Sequence, residues 1–207
     1  MPAQNEIERD RQPYHLYKNI RIQAIPVSPS ETKTPLQIVC FFDQSKNQSY
    51  AGGTEAIDDH FQGAIKRLRA DDLFHGERFE TLLLTPSDGE IQANRLLLLG
   101  LGNPDTLLLE SLEALGRVII QEAIKLDVKG FCFAPSLKDA GFSALPAGDV
   151  SLALIKGMIR AIDSAQSLQE RKLIPAIKLE EIVFLAGLAH VESSQAGLQK
   201  ALGAFQV

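Results

Sequence analysis

Two glycine-containing turns stand ahead of stretches with helical periodicity, Gly52-Gly53-Thr54 and Gly100-Leu101-Gly102-Asn103. A helix N-terminus can hold phosphate through its free N–H groups and its dipole. Gly52, Gly53, Thr54, Gly100, Gly102 and Asn103 are therefore the candidate ligand-binding residues. Neither turn matches a dinucleotide fingerprint or a phosphate loop, because Gly100-Leu101-Gly102-Asn103-Pro104-Asp105 has no third glycine and no Lys-Ser/Thr pair. Charge also opposes an anion. Asp105 is expected at the start of the later helix, and Glu55, Asp58 and Asp59 in the first turns of the earlier one. Each such carboxylate already complements the helix dipole by ~0.3–1 kcal/mol and repels an incoming phosphate. Turn formation and packing are the first expectation for these glycines, and phosphate binding the second.

Other residues with metal-ligand or catalytic chemistry are less well placed. Asp58-Asp59-His60 and Asp71-Asp72-Leu73-Phe74-His75 contain ligand types without the two-histidine helical spacing of a zinc site. Successive helical positions point about 100° apart, so with Phe61 on the buried side Asp58 and Asp59 are expected to face water. His15 and His190 have no acid or nucleophile at a telling spacing, and no serine occupies a Gly-x-Ser-x-Gly elbow. No catalytic residue, metal ligand or cofactor is expected.

Composition narrows the class of protein. A chain of 207 residues suits one large domain, and such a chain buries roughly 70% of the surface its unfolded form exposes. There are 26 acidic against 21 basic side chains, and the basic ones are scattered. Nucleic acid is not an expected partner, since phosphate backbones are held by clustered Lys and Arg. No apolar run reaches the ~18 residues of a membrane span, and the N-terminal MPAQNEIERDRQP is too charged for a signal peptide. A cytoplasmic protein without a membrane partner is expected. Cys40 and Cys132 fall inside apolar runs and read as buried reduced thiols.

The elements that would position these residues follow from periodicity. Residues 1–13 read as a flexible arm, and 14–207 as a single domain. Strands are expected at Tyr14 to Val27, Leu36 to Phe42, Thr81 to Thr85, Leu96 to Leu99, Phe131 to Ala134 and Glu181 to Ala186. LQIVCFF is apolar throughout, as suits a strand covered on both faces. The Asp88-Gly89 pair suits a hairpin between the strands at 81 and 96. Thr54 is expected to cap a helix over 55–69 with Ile57, Phe61, Ala64, Ile65 and Leu68 inward. A long helix carries Leu108, Leu112, Leu115, Ile119, Ala123 and Leu126 on one face. Asp149 is the expected cap of a helix with Leu152, Ile155, Ile159 and Ile162 inward, and Ser193 or Ser194 that of a last helix. The fold class is α/β, a three-layer α/β/α domain around a mixed, mainly parallel sheet.

Several of these segments, in this order, resemble the N-terminal domain of the leucyl aminopeptidase (cytosol aminopeptidase) family. Leu73-Phe74, Gly76, Glu80-Thr81, Arg95 and Gly100-Leu101-Gly102 stand where that family has comparable residues. Phe79 departs from the glycine that usually precedes the glutamate. The resemblance runs from about Leu36 to Phe205 and implies a macro-like fold. It also implies that this domain does no chemistry, because the family's metal-binding peptidase site and its signature lie in a separate C-terminal domain. Nothing like that signature occurs in this chain. A catalytically silent stand-alone domain with an interaction or regulatory role is the first expectation, acting through a protein partner or self-association. The alternatives are a macro-type module for ADP-ribose or another nucleotide, and an N-terminal fragment of a metal-dependent aminopeptidase.

Overall fold

A computed structural model describes residues 13–46, 49–87 and 89–205. The expected arm, apart from Pro13, and Asp88 of the Asp88-Gly89 pair lie outside the described residues. The seven strands are β1 (Tyr14–Tyr17), β2 (Ile20–Ile25), β3 (Gln37–Phe42), β4 (Thr81–Leu84), β5 (Leu96–Gly102), β6 (Gly130–Ala134) and β7 (Glu181–Leu185). The helices are α1 (Gly52–His60), α2 (Ala64–Ala70), α3 (Leu109–Lys125), α4 (Ala147–Glu170) and α5 (Val191–Gly203).

The strands form one sheet in the order β1-β2-β7-β6-β3-β5-β4. From β2 to β5 all neighbours are parallel, and the edges β1 and β4 run antiparallel. Parallel strands joined by crossing helices are covered on both faces, which is why β3, β5 and β6 are buried along their whole length. The edge strand β4 alternates between exposed and half-buried positions instead. The expected hairpin between β4 and β5 is present, with Leu84 opposite Leu96. The strands β5 and β6, joined through α3, are not adjacent, because β3 lies between them.

One face of the sheet packs against α3, α4 and α5, where Ile22, Ile38, Leu99, Phe131 and Phe184 meet Leu112, Ile119, Ile155 and Leu198. The other face packs against α1, α2 and the loops around Phe74 and Ile91. Helix α4 lies between α3 and α5, which explains a buried stripe broad enough to include Leu154, Ile155, Met158 and Ile159. Cys40 and Cys132 are buried on opposite faces of the sheet. Burial pushes the Cys40 thiol well above its ordinary range, so it stays protonated.

Several boundaries differ from the periodicity. Tyr14 to Val27 is a hairpin, not one strand, because Lys18 at φ 54° turns the chain between β1 and β2. The helix expected over 55–69 is two helices, separated by Gln62 and Gly63 at φ 53° and 74°. Leu108 precedes α3 and is exposed, and Asp105 lies in a short 3-10 turn ahead of it. The N-caps of α1, α4 and α5 are Ala51, Pro146 and His190, with Thr54, Asp149 and Ser193-Ser194 inside the helices.

Asp58 is the largest correction. It is fully buried rather than facing water. Its Oδ1 accepts from the amides of Ile65 at 2.8 Å and Lys66 at 3.4 Å, and its Oδ2 accepts from the Tyr50 hydroxyl at 2.9 Å. The break at Gln62-Gly63 creates a second helix N-terminus, and a carboxylate seven residues back supplies the acceptor. Burial, and then the hydrogen bond and charge of Asp58, push the Tyr50 hydroxyl upward and keep it a donor. Replacing Asp58 with Ala removes a cap and strands buried donors, so Asp58→Ala should lower unfolding stability by about 2–4 kcal/mol in urea titrations. A loss under about 0.5 kcal/mol, the range of ordinary surface changes, would contradict this assignment.

Candidate functional site

Strands β6 and β3 are parallel neighbours, yet the chain leaves them toward opposite faces. After β3 it enters α1, which packs on one side of the sheet, and after β6 it enters α4, which packs on the other. Such a switch in strand order opens a crevice beyond the carboxyl ends of the strands, where open α/β sheets take their ligands. A cleft of about 720 Å³ lies there.

Three loops and three helix starts build its walls. The loops are Pro26–Pro29 after β2, Pro135–Asp139 after β6 and Ala186–His190 after β7. The first turns of α1 and α4 contribute Gly52, Gly53, Ala147 and Val150, and Ser194 comes from α5. Ala134, Phe184 and Leu185, the last residues of their strands, supply an apolar floor. Backbone bonds hold the walls together. The amide of Ala186 donates to the Ile25 carbonyl at 3.0 Å, and that of His190 to Gly187 at 2.8 Å. The Gln195 side chain donates to the Ala24 carbonyl and ties α5 to β2.

Asp139 connects the two sides of the switch. Its Oδ2 accepts from the Thr54 amide at 3.0 Å and from the Thr54 hydroxyl at 2.9 Å. Its own carbonyl accepts from the Ala51 amide at 2.8 Å. Gly52 adopts φ 60°, and a Cβ there would lie 2.7 Å from Asp139 Oδ1. Glycine is needed at this corner for both reasons. Ser136, at φ 60°, turns the chain out of β6 and donates its hydroxyl to the Ala134 carbonyl.

The structure thus divides the six candidate residues. Gly52 and Gly53 line the cleft, and Thr54 is buried just behind it, bonded to Asp139. Gly100, Gly102 and Asn103 belong to the end of β5, beyond β3 and away from the cleft. There the carboxylate of Glu80 accepts from the amides of His75, Gly76 and Glu77. That loop folds onto Gly100, whose amide donates to the Glu80 carbonyl at 2.8 Å. A Cβ on Gly100 would lie 1.8 Å from the Glu77 carbonyl oxygen. Asn103 caps the 3-10 turn by accepting from the Asp105 amide. Asp139 and Ser136 were not among the residues singled out from the sequence, since neither belongs to a motif and Asp139 meets a partner 85 positions away.

Fold and cleft together define an α/β/α domain of macro type. The chain belongs to the cytosol aminopeptidase family, whose N-terminal-domain model matches residues 38–167. No curated protein matches the sequence significantly. Among solved structures, a mutant of tomato leucine aminopeptidase superposes with a TM-score of 0.62 at 16% identity, covering 94% of this chain and 38% of that one. An Oceanobacillus iheyensis macrodomain mutant with ADPR gives 0.65 at 11% identity, covering 94% of this chain and 98% of the other. The Trypanosoma brucei macrodomain in complex with ADP gives 0.58 at 16% identity, covering 87% and 69%. At these identities the shared property is the fold. This chain spans well under half the length of the tomato enzyme.

The family correspondences acquire physical roles. Glu80 and Gly76 form the nest that closes on Gly100. Arg95 donates to the carbonyl of Leu126, the C-cap of α3. Phe79 holds φ 69°, a conformation glycine reaches more readily, which accounts for the glycine usual at that place. Gly100→Ala must push the backbone of the Glu77 loop away and should cost about 1–3 kcal/mol or more by denaturant unfolding. Phe79→Gly, which relieves a left-handed backbone, should change stability by less than about 1 kcal/mol. Equal losses from both would contradict the close-approach reading of Gly100.

Proposed function

We propose that this domain is catalytically silent and acts by binding, in an interaction or regulatory role, with the cleft at the β6/β3 switch point as its binding site. The observation that carries the reading is the cleft itself, a crevice of ligand size with an apolar floor and a few polar groups on its walls. Two of its polar groups are committed to structure. The Ser136 hydroxyl donates to a backbone carbonyl, and the Asp139 carboxylate accepts from Thr54. Membership in the family through its N-terminal-domain model supports the same reading.

A second reading names the ligand as a nucleoside or a nucleotide such as ADP-ribose. The likeness to macrodomains with ADPR and with ADP favours it, as does a cleft beyond the carboxyl ends of the strands. The 38% coverage of the tomato enzyme favours a third, in which this is the N-terminal part of a metal-dependent leucyl aminopeptidase. A cytoplasmic location belongs to the same proposal. Among the described residues no helix is long and apolar enough to cross a membrane.

Thermal unfolding with adenosine and with ADP-ribose tests the binding reading. A ligand at 100 times its Kd adds ~2.7 kcal/mol, which in a domain of this size raises Tm by about 5–10 °C. At least one of the two compounds should produce such a shift, and Ala56→Trp, which fills the cleft from α1, should abolish it. No shift with either compound at millimolar concentration would remove the nucleotide reading. Turnover of a leucyl substrate by the pure protein with added manganese or zinc would overturn the catalytically silent one.

A further inference from the structure

The charge around the cleft carries an inference about what it accepts, resting on the binding reading above. Three helices begin at its wall: α1 at Gly52, α4 at Ala147 and α5 beside its N-cap His190. Converging N-terminal dipoles would by themselves favour an anion. Each of these helices carries an exposed carboxylate in its first turn, outside the cleft lining. Glu55, Asp149 and Glu192 lie in the first turns of α1, α4 and α5.

Asp139 goes further, because it occupies the seat rather than flanking it. Its Oδ2 takes the Thr54 amide and hydroxyl, the donors a phosphate oxygen would use at α1. Its Oδ1 fills the space over Gly52, where even a Cβ would lie 2.7 Å away. Among the described residues that line the cleft, Asp139 is the one carboxylate and Lys138 the one ammonium group. Val27, Leu145, Val150, Phe184 and Leu185 give the cleft an apolar lining, interrupted by Ser28, Ser136, Ser151 and Ser194.

We propose that the cleft accepts an uncharged, ring-bearing ligand such as a nucleoside and rejects its phosphorylated forms, and that Asp139 is the residue that sets this selection by occupying the anion seat of α1. The site is the cavity, and the helix end is the part of it that has been closed. Specificity of this kind comes from an unfavourable element set against the competing ligand.

Calorimetric titration with adenosine and with ADP-ribose separates the outcomes. The natural sequence should bind adenosine at least about tenfold tighter than ADP-ribose, a margin expected of one uncompensated charge contact. Asp139→Asn keeps an oxygen acceptor for Thr54 and removes the charge, so it should shift the ADP-ribose to adenosine affinity ratio toward ADP-ribose by at least about tenfold. Raising salt from about 20 to about 300 mM should narrow the difference in the unsubstituted protein through screening. That arm decides the matter if the variant does not fold. Tighter binding of ADP-ribose than of adenosine, or a salt dependence of opposite sign, would overturn the proposal while leaving the cleft as the binding site. Absence of binding by both compounds would instead overturn the nucleoside reading, and this proposal with it.

Discussion

The contact between the Asp139 carboxylate and the first turn of α1 holds the switch-point end of this domain in shape. It joins the loop after β6 to the helix after β3, two neighbouring strands whose helices depart to opposite faces of the sheet. Without such a tie the crevice at a switch point is bounded by loops that share no ladder. The hydrogen bond from the Ala51 amide to the Asp139 carbonyl doubles the connection, and Gly52 permits the close approach. One residue thereby caps a helix, bridges two layers and places negative charge on the cleft wall.

The same chemistry recurs elsewhere in the fold. Asp58 satisfies the start of α2, and Glu80 gathers three amides of the loop that lies on Gly100. Each is a carboxylate answering backbone N–H groups that the helix and strand ladders leave unpaired. These internal acceptors pair backbone amides at two helix starts and in one loop. In the folded chain Gly52 lies beside the Asp139 carboxylate, while Gly100 and Gly102 end strand β5 under the loop that Glu80 gathers.

The core of this architecture was legible because burial on both faces makes a parallel strand a continuous apolar run, as in LQIVCFF and Leu96 to Leu99, although β5 continues through Gly100-Leu101-Gly102, which reads in the sequence as a turn. The inner face of α3 followed from steps of three and four through Leu112, Leu115, Ile119 and Ala123. The family resemblance extended this to the macro-like arrangement. What remained hidden depends on partners distant in sequence. Nothing local marks Asp58 as buried, since its acceptor role arises only when Gln62 and Gly63 break the helix. Nothing local marks Asp139 either, because its partner Thr54 is brought to it by the sheet order. Gly52 and Gly53 could be picked out as a turn, but their place on the cleft required knowing that β6 lies beside β3.

Family membership and fold leave the position of the binding surface as the central claim. Amide chemical-shift mapping during titration with adenosine tests it most directly. The account predicts that perturbed resonances cluster at Val27, Gly53, Ser136 and Gly187, on the three loops and the helix start that wall the cleft. Perturbations centred instead on Gly100, Gly102 and Asn103, at the end of β5, would contradict it.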